Sequence, residues 1–299
     1  MALIKTSIKL IIKEHNSYRF SGPVLALGVP EIYATYPELN AWFQEFTGRS
    51  CLVASDKVNI TTNSVGQKLK WVAADTFFKA FNFPEVVTLD IPQCEHPPDI
   101  VHNLNEPFPS NLINRFGLII DPGTTEHVFD MKTCLTNIVL ALKVKGVIIH
   151  QVPIYSYNGG YYSINPNVLH DFYRLNGFSQ IKSYIILWDR YWPYTGLYRC
   201  YKYSPELLGG RHSLADRDQC RFVPHLLFFA MKNTDVQIIK PPIQDSSYVE
   251  SRGRFAKKIF MKINNLVFRV LPFHWATYIS QKAQREITLR KIHRQGFKA

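Results

Sequence analysis

Two hydrophobic patterns alternate along most of the chain. Short, nearly continuous apolar runs are each followed by a stretch in which apolar residues recur every three or four positions. The first pattern predicts strands buried on both faces, and the second predicts amphipathic helices. The predicted strands are 23–28, 85–90, 116–120, 146–153, 180–188, 197–203 and 221–231, with a short extended piece at 99–102.

Helices are predicted between several of these strands, at 31–46, 76–83, 126–143 and 165–178. Asn165 and Pro166 form a cap and first turn for the last helix, and Gly177 ends it. The predicted inward positions of the first and third helices are Ile32, Leu39, Trp42, Phe43, Phe46, Phe129, Leu135, Ile138, Val139 and Leu142. Residues 47–75 are polar and mixed in composition, and we interpret them as an excursion of the chain from the alternating strands and helices. The alternation predicts an α/β fold, a mostly parallel sheet with an antiparallel edge formed by the last strands.

Composition narrows the class of protein. The chain has 299 residues, of which 46% are hydrophobic and 19% charged, so most of it is predicted to be ordered. The cysteines are scattered and never form a C-x-x-C pair, which favours a reduced cytoplasmic protein without structural zinc or a disulfide framework. They are Cys51, Cys94, Cys134, Cys200 and Cys220. Lysines interrupt the first apolar runs, so no secretory signal is predicted, and the apolar stretch 222–231 is too short to span a bilayer.

The positive charge is concentrated at the end of the sequence. The formal net charge is +12, and residues 240–299 hold 13 Lys or Arg against three acids. We therefore predict two parts, a domain over 1–239 and a basic tail over 240–299. Within residues 252–275, an apolar stripe (Phe255, Ile259, Ile263, Leu266 and Val270) lies apart from Lys257, Lys258, Lys262 and Arg269.

This basic amphipathic helix has three interpretations. It can lie on an anionic membrane surface, where each basic residue adds about 1 kcal/mol. It can equally dock on its own domain with a solvated basic face. Nucleic-acid binding is less favoured, because the first 239 residues carry almost no excess charge.

The ends of the predicted strands carry the candidate chemistry. Ligands of open α/β sheets bind beyond the carboxyl ends of the strands, and Gly28, Asp90, Asp121 and His150 fall there. An acid that ends the second strand can accept hydrogen bonds from both hydroxyls of a ribose, as Asp90 would. The alternative for Asp90 is a solvated acid at a strand end, and for Asp121 a turn former or helix cap.

The order of these pieces resembles the class I S-adenosylmethionine-dependent methyltransferases. The branch it resembles is a bacterial one found among polysaccharide and lipopolysaccharide biosynthesis proteins, whose signature reads D-G-x-x-E-H-V-F. The resemblance covers residues 23–190. The segments that carry it are VLALG, VVTLDI, DIVHNLNEPFP, FGLIIDPGTTEHVFD, NIVLALKVKGVIIHQVP and GYYSINPNVLHDFYRLNGF.

The resemblance implies a Rossmann-like methyltransferase sheet, S-adenosyl-L-methionine as cofactor and a set of site residues. The cofactor contacts it implies are Gly28, Asp90, Asn103, Asp121 and Glu126. The sequence departs from the family in four of its motifs, and in one of them Lys143-Val144-Lys145-Gly146 stands where the family has Lys-Pro-Gly-Gly. Its first glycine loop has one glycine, in Leu27-Gly28-Val29-Pro30; Asn103 stands where many relatives have Asp; and Pro122 stands where glycine is common. The missing G-x-G-x-x-G also argues against NAD, whose pyrophosphate needs such a turn.

A methyl acceptor that is a hydroxyl needs a base, and histidine titrates near neutral pH. His127 and His150 are the candidate catalytic bases. Each has a structural alternative. His127 could simply pack at the start of a helix, and His150 could be a core histidine whose hydrogen bonds are satisfied within the fold. Tyr155, Tyr157, Tyr161 and Tyr162 surround Gly159-Gly160 in an aromatic loop that can stack on a sugar or only cover surface.

Two functions follow as expectations. The first is a cytoplasmic methyltransferase that acts on a sugar, nucleotide-sugar or lipid-linked glycan, with the tail bringing it to the inner membrane surface. The second is a non-catalytic binding or scaffold protein of the same fold, in which the altered glycine loop no longer admits the cofactor. The sequence fixes neither the acceptor atom nor the oligomeric state, and no metal site is predicted.

Overall fold

The core of the protein is one eight-stranded sheet with helices on both faces. A computed structural model describes residues 2–91, 97–155, 159–189, 199–203, 205 and 222–243. Their strands are β1 (Ala2–Leu3), β2 (Val24–Leu27), β3 (Glu31–Ile32), β4 (Val86–Asp90), β5 (Ile100–Val101), β6 (Phe116–Asp121), β7 (Leu142–Pro153), β8 (Phe178–Asp189), β9 (Arg199–Tyr203) and β10 (Phe222–Lys232).

The large sheet has the strand order β5-β4-β2-β6-β7-β10-β8-β9, and β1 pairs with β3 in a separate two-stranded sheet. Strands β5, β4, β2, β6 and β7 are parallel. Strand β10 inserts antiparallel between β7 and β8, and β9 pairs antiparallel with β8. The mostly parallel Rossmann-like sheet with an antiparallel edge, predicted from the alternating pattern, is therefore confirmed. The prediction did not foresee that β10 lies inside the sheet.

Six α-helices occur in the described ranges: α1 (Lys5–Tyr18), α2 (Tyr36–Thr47), α3 (Ser64–Leu69), α4 (Ala74–Lys79), α5 (Met131–Ala141) and α6 (Pro166–Leu175). A capping box fixes the start of α2, because Thr35 and Glu38 each bond the other's backbone N–H. The Asn165 side chain accepts from Asn167 N and Pro166 is the first residue of α6, as the sequence predicts.

Each face of the sheet has its own apolar core. Helices α1, α2 and α4 cover one face, against residues such as Ala26, Ile120 and Ile149. Helices α5 and α6 cover the other, against Leu27, Ile119 and Ile148. Because neighbouring residues of a strand point to opposite faces, the continuous apolar runs of β2, β6 and β7 supply both cores.

Three helix predictions were wrong in their boundaries. The helix predicted over 76–83 is α4, which runs from Ala74 to Lys79. Residues 31–46 begin with β3, since Glu31 and Ile32 pair with Ala2 and Leu3, and the helix starts only at Tyr36. Residues 126–143 contain a 3₁₀ turn at Thr125–His127, then α5 from Met131 to Ala141, and Leu142 already belongs to β7.

The inward position predicted for Phe129 was also wrong. Phe129 is 73% exposed, because the helix begins two residues after it, with Asp130 as its cap. Helix α1 was not predicted, although Ile8, Ile11 and Ile12 repeat at helical spacing and are buried. The lysines that exclude a signal sequence lie on the outer side of this helix: Lys5, Lys9 and Lys13 are only partly buried.

Several predictions lie outside the described residues. They include the amphipathic tail helix over 252–275, Cys94, Cys220 and Tyr157. The domain boundary at 239/240 likewise stays a prediction. Cys51, Cys134 and Cys200 are buried and free. Within the part of the chain that the structure describes, no helix has the length and apolarity to cross a membrane.

Candidate functional site

The candidate site lies at the carboxyl ends of the parallel strands. The chain passes from β2 to β4 on one side and later to β6 on the other side of β2, so the strand order switches between β2 and β6. A crevice at such a switch is where open α/β sheets bind their ligands. Gly28, Asp90, Asp121 and His150 all lie at or beside this edge, as predicted.

The end of β2 makes a tight turn at Gly28. Gly28 has φ 81°, a left-handed conformation that favours glycine, and its N–H donates to Leu89 O at 2.6 Å. The Thr124 hydroxyl donates to Leu27 O at 2.5 Å, which ties the loop after β6 to the end of β2. The single glycine of this loop therefore occupies the position at which the backbone needs one.

Asp90 ends β4, the strand next to β2, and its side chain is only partly buried. Its Oδ1 accepts from Ile91 N at 2.8 Å. The carboxylate thus lies at the edge of the sheet, beside the Gly28 turn and open to solvent in part. This is the position from which an acid can reach the hydroxyls of a ribose.

Asn103 lies in the loop after β5 and is exposed. Its Oδ1 accepts from Asn105 N at 3.1 Å and from Asn105 Nδ2 at 2.9 Å, and Asn105 Oδ1 in turn accepts from Asp130 N at 2.8 Å. In this structure Asn103 therefore shapes its own loop and links it to the start of α5. A contact between Asn103 and a cofactor stays a prediction.

Asp121 ends β6 and is buried, with 1% of its surface exposed. Its Oδ1 accepts from the backbone N–H groups of Gly123, Thr124 and Thr125, at 3.2, 2.7 and 3.2 Å. Its Oδ2 accepts from the Thr125 hydroxyl at 2.6 Å. This carboxylate holds the turn after β6 closed, so the turn-forming alternative describes what Asp121 does in the structure.

His150 on β7 completes this network from the neighbouring strand. Its Nδ1 lies 2.6 Å from Asp121 Oδ2, and its Nε2 lies 2.7 Å from the Tyr173 hydroxyl of α6. Burial raises the pKa of Tyr173 well above its usual value, so the phenol keeps its proton and can donate to the ring. Burial is the largest single influence and disfavours the Asp121 carboxylate, but the hydrogen bond and charge of His150, together with the hydrogen bonds from Thr125 and Thr124, hold the pKa of Asp121 below its ordinary value.

His150 has none of its surface exposed, and both ring nitrogens are engaged. A general base needs a nitrogen that can reach the substrate. In this geometry His150 orients Asp121 and joins β6, β7 and α6. His127 is exposed, in the 3₁₀ turn after β6, and remains a candidate base by position.

Glu126, one residue before His127, is buried in the same turn, with 5% of its surface exposed. Burial, and next the charge of Asp121, raise the pKa of Glu126 to about 8. Its Oε2 is buried without a hydrogen-bond partner. Its backbone carbonyl accepts from Tyr161 N at 2.8 Å and Tyr162 N at 3.2 Å, so the aromatic segment at 159–162 packs directly on it.

Gln151 also lies in the candidate site, and the sequence did not lead us to predict it. It follows His150 on β7, has 4% of its surface exposed, and donates from Nε2 to Ala2 O at 2.5 Å. Its Oε1 is buried without a partner. A glutamine within an otherwise apolar strand, GVIIHQVP, was the available signal, because buried strands carry polar side chains only where something bonds them.

Aromatic side chains border the site. Phe129 and Tyr161 are 73% and 72% exposed and meet edge to face, with ring centroids 6.0 Å apart. The Tyr162 hydroxyl donates to Phe129 O at 2.8 Å. The two exposed rings are therefore held in place by backbone contacts near Glu126, which suits a surface that stacks on a planar or cyclic group.

The opposite edge of the sheet has a surface depression of about 370 Å³, lined by residues that include Asn176, Gly177 and Val236. The Asn176 amide already bonds Phe172 O and both backbone groups of Lys240. The Asn176 amide is therefore already used to hold the segment at Lys240, and it is not available to a ligand in this depression.

No protein-family profile matches the chain, and no curated protein matches it. Solved structures show similarity at low level. YcgJ from Bacillus subtilis is 10% identical, with a TM-score of 0.38, over 77% of this chain and 99% of that one. A SAM dependent methyltransferase from Archaeoglobus fulgidus is 13% identical, with a TM-score of 0.34, over 76% and 95%.

The branched-chain polyamine synthase from Thermus thermophilus is 12% identical, with a TM-score of 0.31, over 81% of this chain and 60% of that one. Structural similarities as low as these do not show that the chain shares a cofactor or an activity with these proteins. The class of the protein rests on its own sheet and site: a Rossmann-like α/β fold with an acid, a glycine turn and a buried polar network at the carboxyl edge.

Proposed function

We propose that the protein is an S-adenosylmethionine-dependent methyltransferase. The observation that carries this proposal is the position of Asp90, a partly exposed acid that ends the strand beside the Gly28 turn at the switch in strand order. A ribose needs such an acid, and S-adenosylmethionine carries no phosphate that would need a G-x-G-x-x-G loop. Gly28 would let the backbone approach this ligand, and Asp90 would bind its ribose.

The proposed acceptor is a sugar, a nucleotide-sugar or a lipid-linked glycan. The resemblance of residues 160–178 and of the D-P-G-T-T-E-H-V-F segment to the polysaccharide-cluster branch supports this class. The exposed Phe129 and Tyr161 rings support it further, since aromatic faces stack on sugar rings. Methyl transfer is an in-line displacement, so the protein's main task is to hold the acceptor behind the methyl group.

A second candidate function is a non-catalytic scaffold that keeps the fold. The loop after Gly28 favours it, because Val29 and Pro30 lead directly into β3, where the family pattern has a further glycine. The partly exposed Asp90 opposes it. A binding experiment separates the two, since a scaffold with a closed loop has no affinity for the cofactor product.

Calorimetric titration of the full chain with S-adenosylhomocysteine tests the proposal without knowledge of the acceptor. We expect micromolar binding to the wild type. Asp90→Ala should weaken this binding by about 1–3 kcal/mol, the usual loss for a hydrogen bond that involves a charged group. Asp56→Ala, which removes an exposed acid in a 3₁₀ turn of the excursion, is the matched control and should leave affinity unchanged.

Two results would decide against the proposal. If the wild type does not bind S-adenosylhomocysteine at millimolar concentration, the scaffold function is favoured instead. Equal affinities of the wild type and Asp90→Ala would remove Asp90 from the site.

We also propose that the basic tail brings the protein to an anionic membrane surface. The concentration of charge in residues 240–299 and the stripe within 252–275 support this. A chain truncated before Ser251 should lose pelleting with phosphatidylserine vesicles and keep the circular dichroism of the sheet. Pelleting that survives truncation would contradict the membrane role.

A further inference from the structure

The turn after β2 contains one glycine, and the conformation of that glycine has to be fixed from outside it. Gly28 has φ 81°, and glycine adopts positive and negative φ about equally well, so it does not hold this value by itself. On the far side of the turn, the ring of Pro30 fixes its own φ. On the near side lies the peptide between Leu27 and Gly28, which has no such local restriction.

This Leu27–Gly28 peptide is bonded at both of its polar atoms. Its N–H donates to Leu89 O of β4 at 2.6 Å. Its carbonyl accepts from the Thr124 hydroxyl at 2.5 Å. A peptide group is planar, so two bonds on opposite sides fix its rotation about the chain and hence ψ of Leu27 and φ of Gly28.

The bond from Thr124 is a tertiary contact that continues beyond the strand pairing. The ladder between β2 and β6 ends at Ala26 and Ile120, one residue before Leu27. Thr124 and Leu27 are 97 positions apart in the chain, so no local turn creates this bond. Without the hydroxyl, the Leu27 carbonyl would lose this bond at a point where the ladder no longer holds it.

Asp121 fixes the position of Thr124. The Thr124 N–H donates to Asp121 Oδ1 at 2.7 Å, and the Asp121 carboxylate is buried and bonded to His150. The hydroxyl that reaches Leu27 is therefore presented by a well-bonded corner of the sheet. A side chain held in this way can determine the geometry of the segment that it contacts.

The same peptide is fixed relative to the acid that would bind the ribose. Leu89, which accepts from Gly28 N, directly precedes Asp90 in β4. The Leu27–Gly28 peptide therefore lies between the strand that ends at Asp90 and the turn that contains Thr124. A ligand whose ribose is bound by Asp90 would meet the Gly28 turn next to it.

We propose that Thr124 is a positioning residue of the cofactor site, which holds the Leu27–Gly28 peptide in the conformation that the cofactor meets. The inference rests on the proposed function. Thr124 acts through the peptide and not by contact with the ligand. This role explains how a loop with a single glycine keeps one defined turn: Pro30 restricts it on one side and Thr124 on the other.

Three variants of the full chain isolate the hydroxyl. Thr124→Val keeps the branched shape of the side chain and removes the hydroxyl, whereas Thr124→Ser keeps the hydroxyl and serves as the rescue. The matched control is Thr133→Val, which removes a hydroxyl that donates to Asp130 Oδ2 at 2.7 Å at the start of α5. Urea denaturation verifies that each variant is folded.

NMR observes the peptide itself without any cofactor. Carbon-13 carbonyl leucine and nitrogen-15 glycine select Leu–Gly pairs, and Leu208→Met removes the other pair in the sequence, Leu208-Gly209. In Thr124→Val the Leu27 carbonyl signal should move, and the Gly28 amide should exchange with solvent about threefold faster or more. The Gly117 amide, which donates to Pro23 O at 2.9 Å, is the internal reference and should not change.

Calorimetry then measures the consequence for the ligand. Thr124→Val should weaken S-adenosylhomocysteine binding about three- to tenfold, the effect of one hydrogen bond. Thr124→Ser and Thr133→Val should bind as the wild type does.

The outcomes are distinct. An unchanged Leu27–Gly28 signal and unchanged affinity in Thr124→Val overturn the positioning role, and so does a Thr124→Ser variant that binds as weakly as Thr124→Val. Equal acceleration of exchange at Gly28 and Gly117 would show a general loosening of the fold and also overturn it. If the wild type does not bind S-adenosylhomocysteine while the Leu27–Gly28 signal still responds to Thr124→Val, the proposed function fails and the control of the turn by Thr124 stands.

Discussion

Asp121 and Glu126 are both buried carboxyls, five residues apart at one corner of the sheet, and their surroundings are opposite. Asp121 accepts hydrogen bonds from three backbone N–H groups, a hydroxyl and a histidine, and its pKa is lowered. Glu126 has an oxygen without a partner, and its pKa is raised. The fold satisfies one carboxyl with five hydrogen bonds, and it leaves one buried oxygen of the other without any.

The difference predicts opposite effects on stability when the two carboxyls are removed. A fully bonded buried acid stabilises the turn that contains it, so its loss should be measured in stability. A buried acid that lacks partners reduces stability when it ionises, and folds retain such groups at sites that bind or react. The proximity of the two in sequence shows why a motif alone does not distinguish them.

The largest effect is expected from Asp121→Ala. It would leave the N–H groups of the turn, the Thr125 hydroxyl and His150 without their acceptor, and should lower the free energy of unfolding by about 3–5 kcal/mol. Urea denaturation measures this. The control is Asp130→Ala, which removes an exposed helix cap that accepts from Thr133 N at 3.0 Å and should lower the free energy of unfolding much less. Equal losses in the two variants would contradict the structural role of Asp121.

Glu126→Gln should have the opposite sign and depend on pH. The folded-state pKa of about 8 lies above the ordinary value of 4.5. Between these values the folded protein holds a proton that the unfolded chain has lost, so the free energy of unfolding falls as pH rises from 4.5 to 8. Removing the ionisable group should stabilise the protein by about 2–4 kcal/mol more at pH 8.5 than at pH 5.

Urea denaturation of both proteins at the two pH values gives this difference. Glu106→Gln, a change in an exposed carboxyl, serves as the control and should show none. A Glu126→Gln variant whose stability follows that of the wild type at both pH values would show that Glu126 is solvated, and the comparison with Asp121 would fail.

A smaller effect is expected from Tyr173→Phe. It removes the hydroxyl that lies 2.7 Å from His150 Nε2 and leaves that nitrogen buried without a partner. The cost should be about 1–2 kcal/mol, less than for Asp121 because one hydrogen bond is lost rather than several. Thermal or urea unfolding measures it, and affinity for S-adenosylhomocysteine should not change. A loss of affinity with unchanged stability would place Tyr173 in the ligand site instead.

The sheet was largely predictable from the sequence. Strands β4 and β6 and the core of β2 follow from continuous apolar runs, because a strand covered on both faces has no room for polar side chains. The start of α6 follows from Asn165 and Pro166, whose local chemistry specifies a helix start. The position of β10 inside the sheet was not predictable, since strand order depends on contacts between distant segments.

Helix boundaries were predicted less well where tertiary contacts compete with local pattern. Ile32 fits a helical stripe, yet β1 recruits it into a strand pair. Phe129 fits the stripe of α5, yet Asp130 caps the helix after it and leaves the ring exposed. The isoleucine spacing of α1 is helical, so this helix was predictable from the sequence although it was not predicted.

The sequence by itself determined which residues meet at the carboxyl edge, because neighbouring parallel strands joined by helices end at the same edge of a sheet. It placed Asp90, Asp121 and His150 at that edge without any contact being known. Only the tertiary structure decided their states, because pKa and hydrogen bonding depend on neighbours from other strands and helices. Tyr173 from α6 closes the network of Asp121 and His150, whereas Glu126 and Gln151 each retain an oxygen that no segment of the described chain reaches.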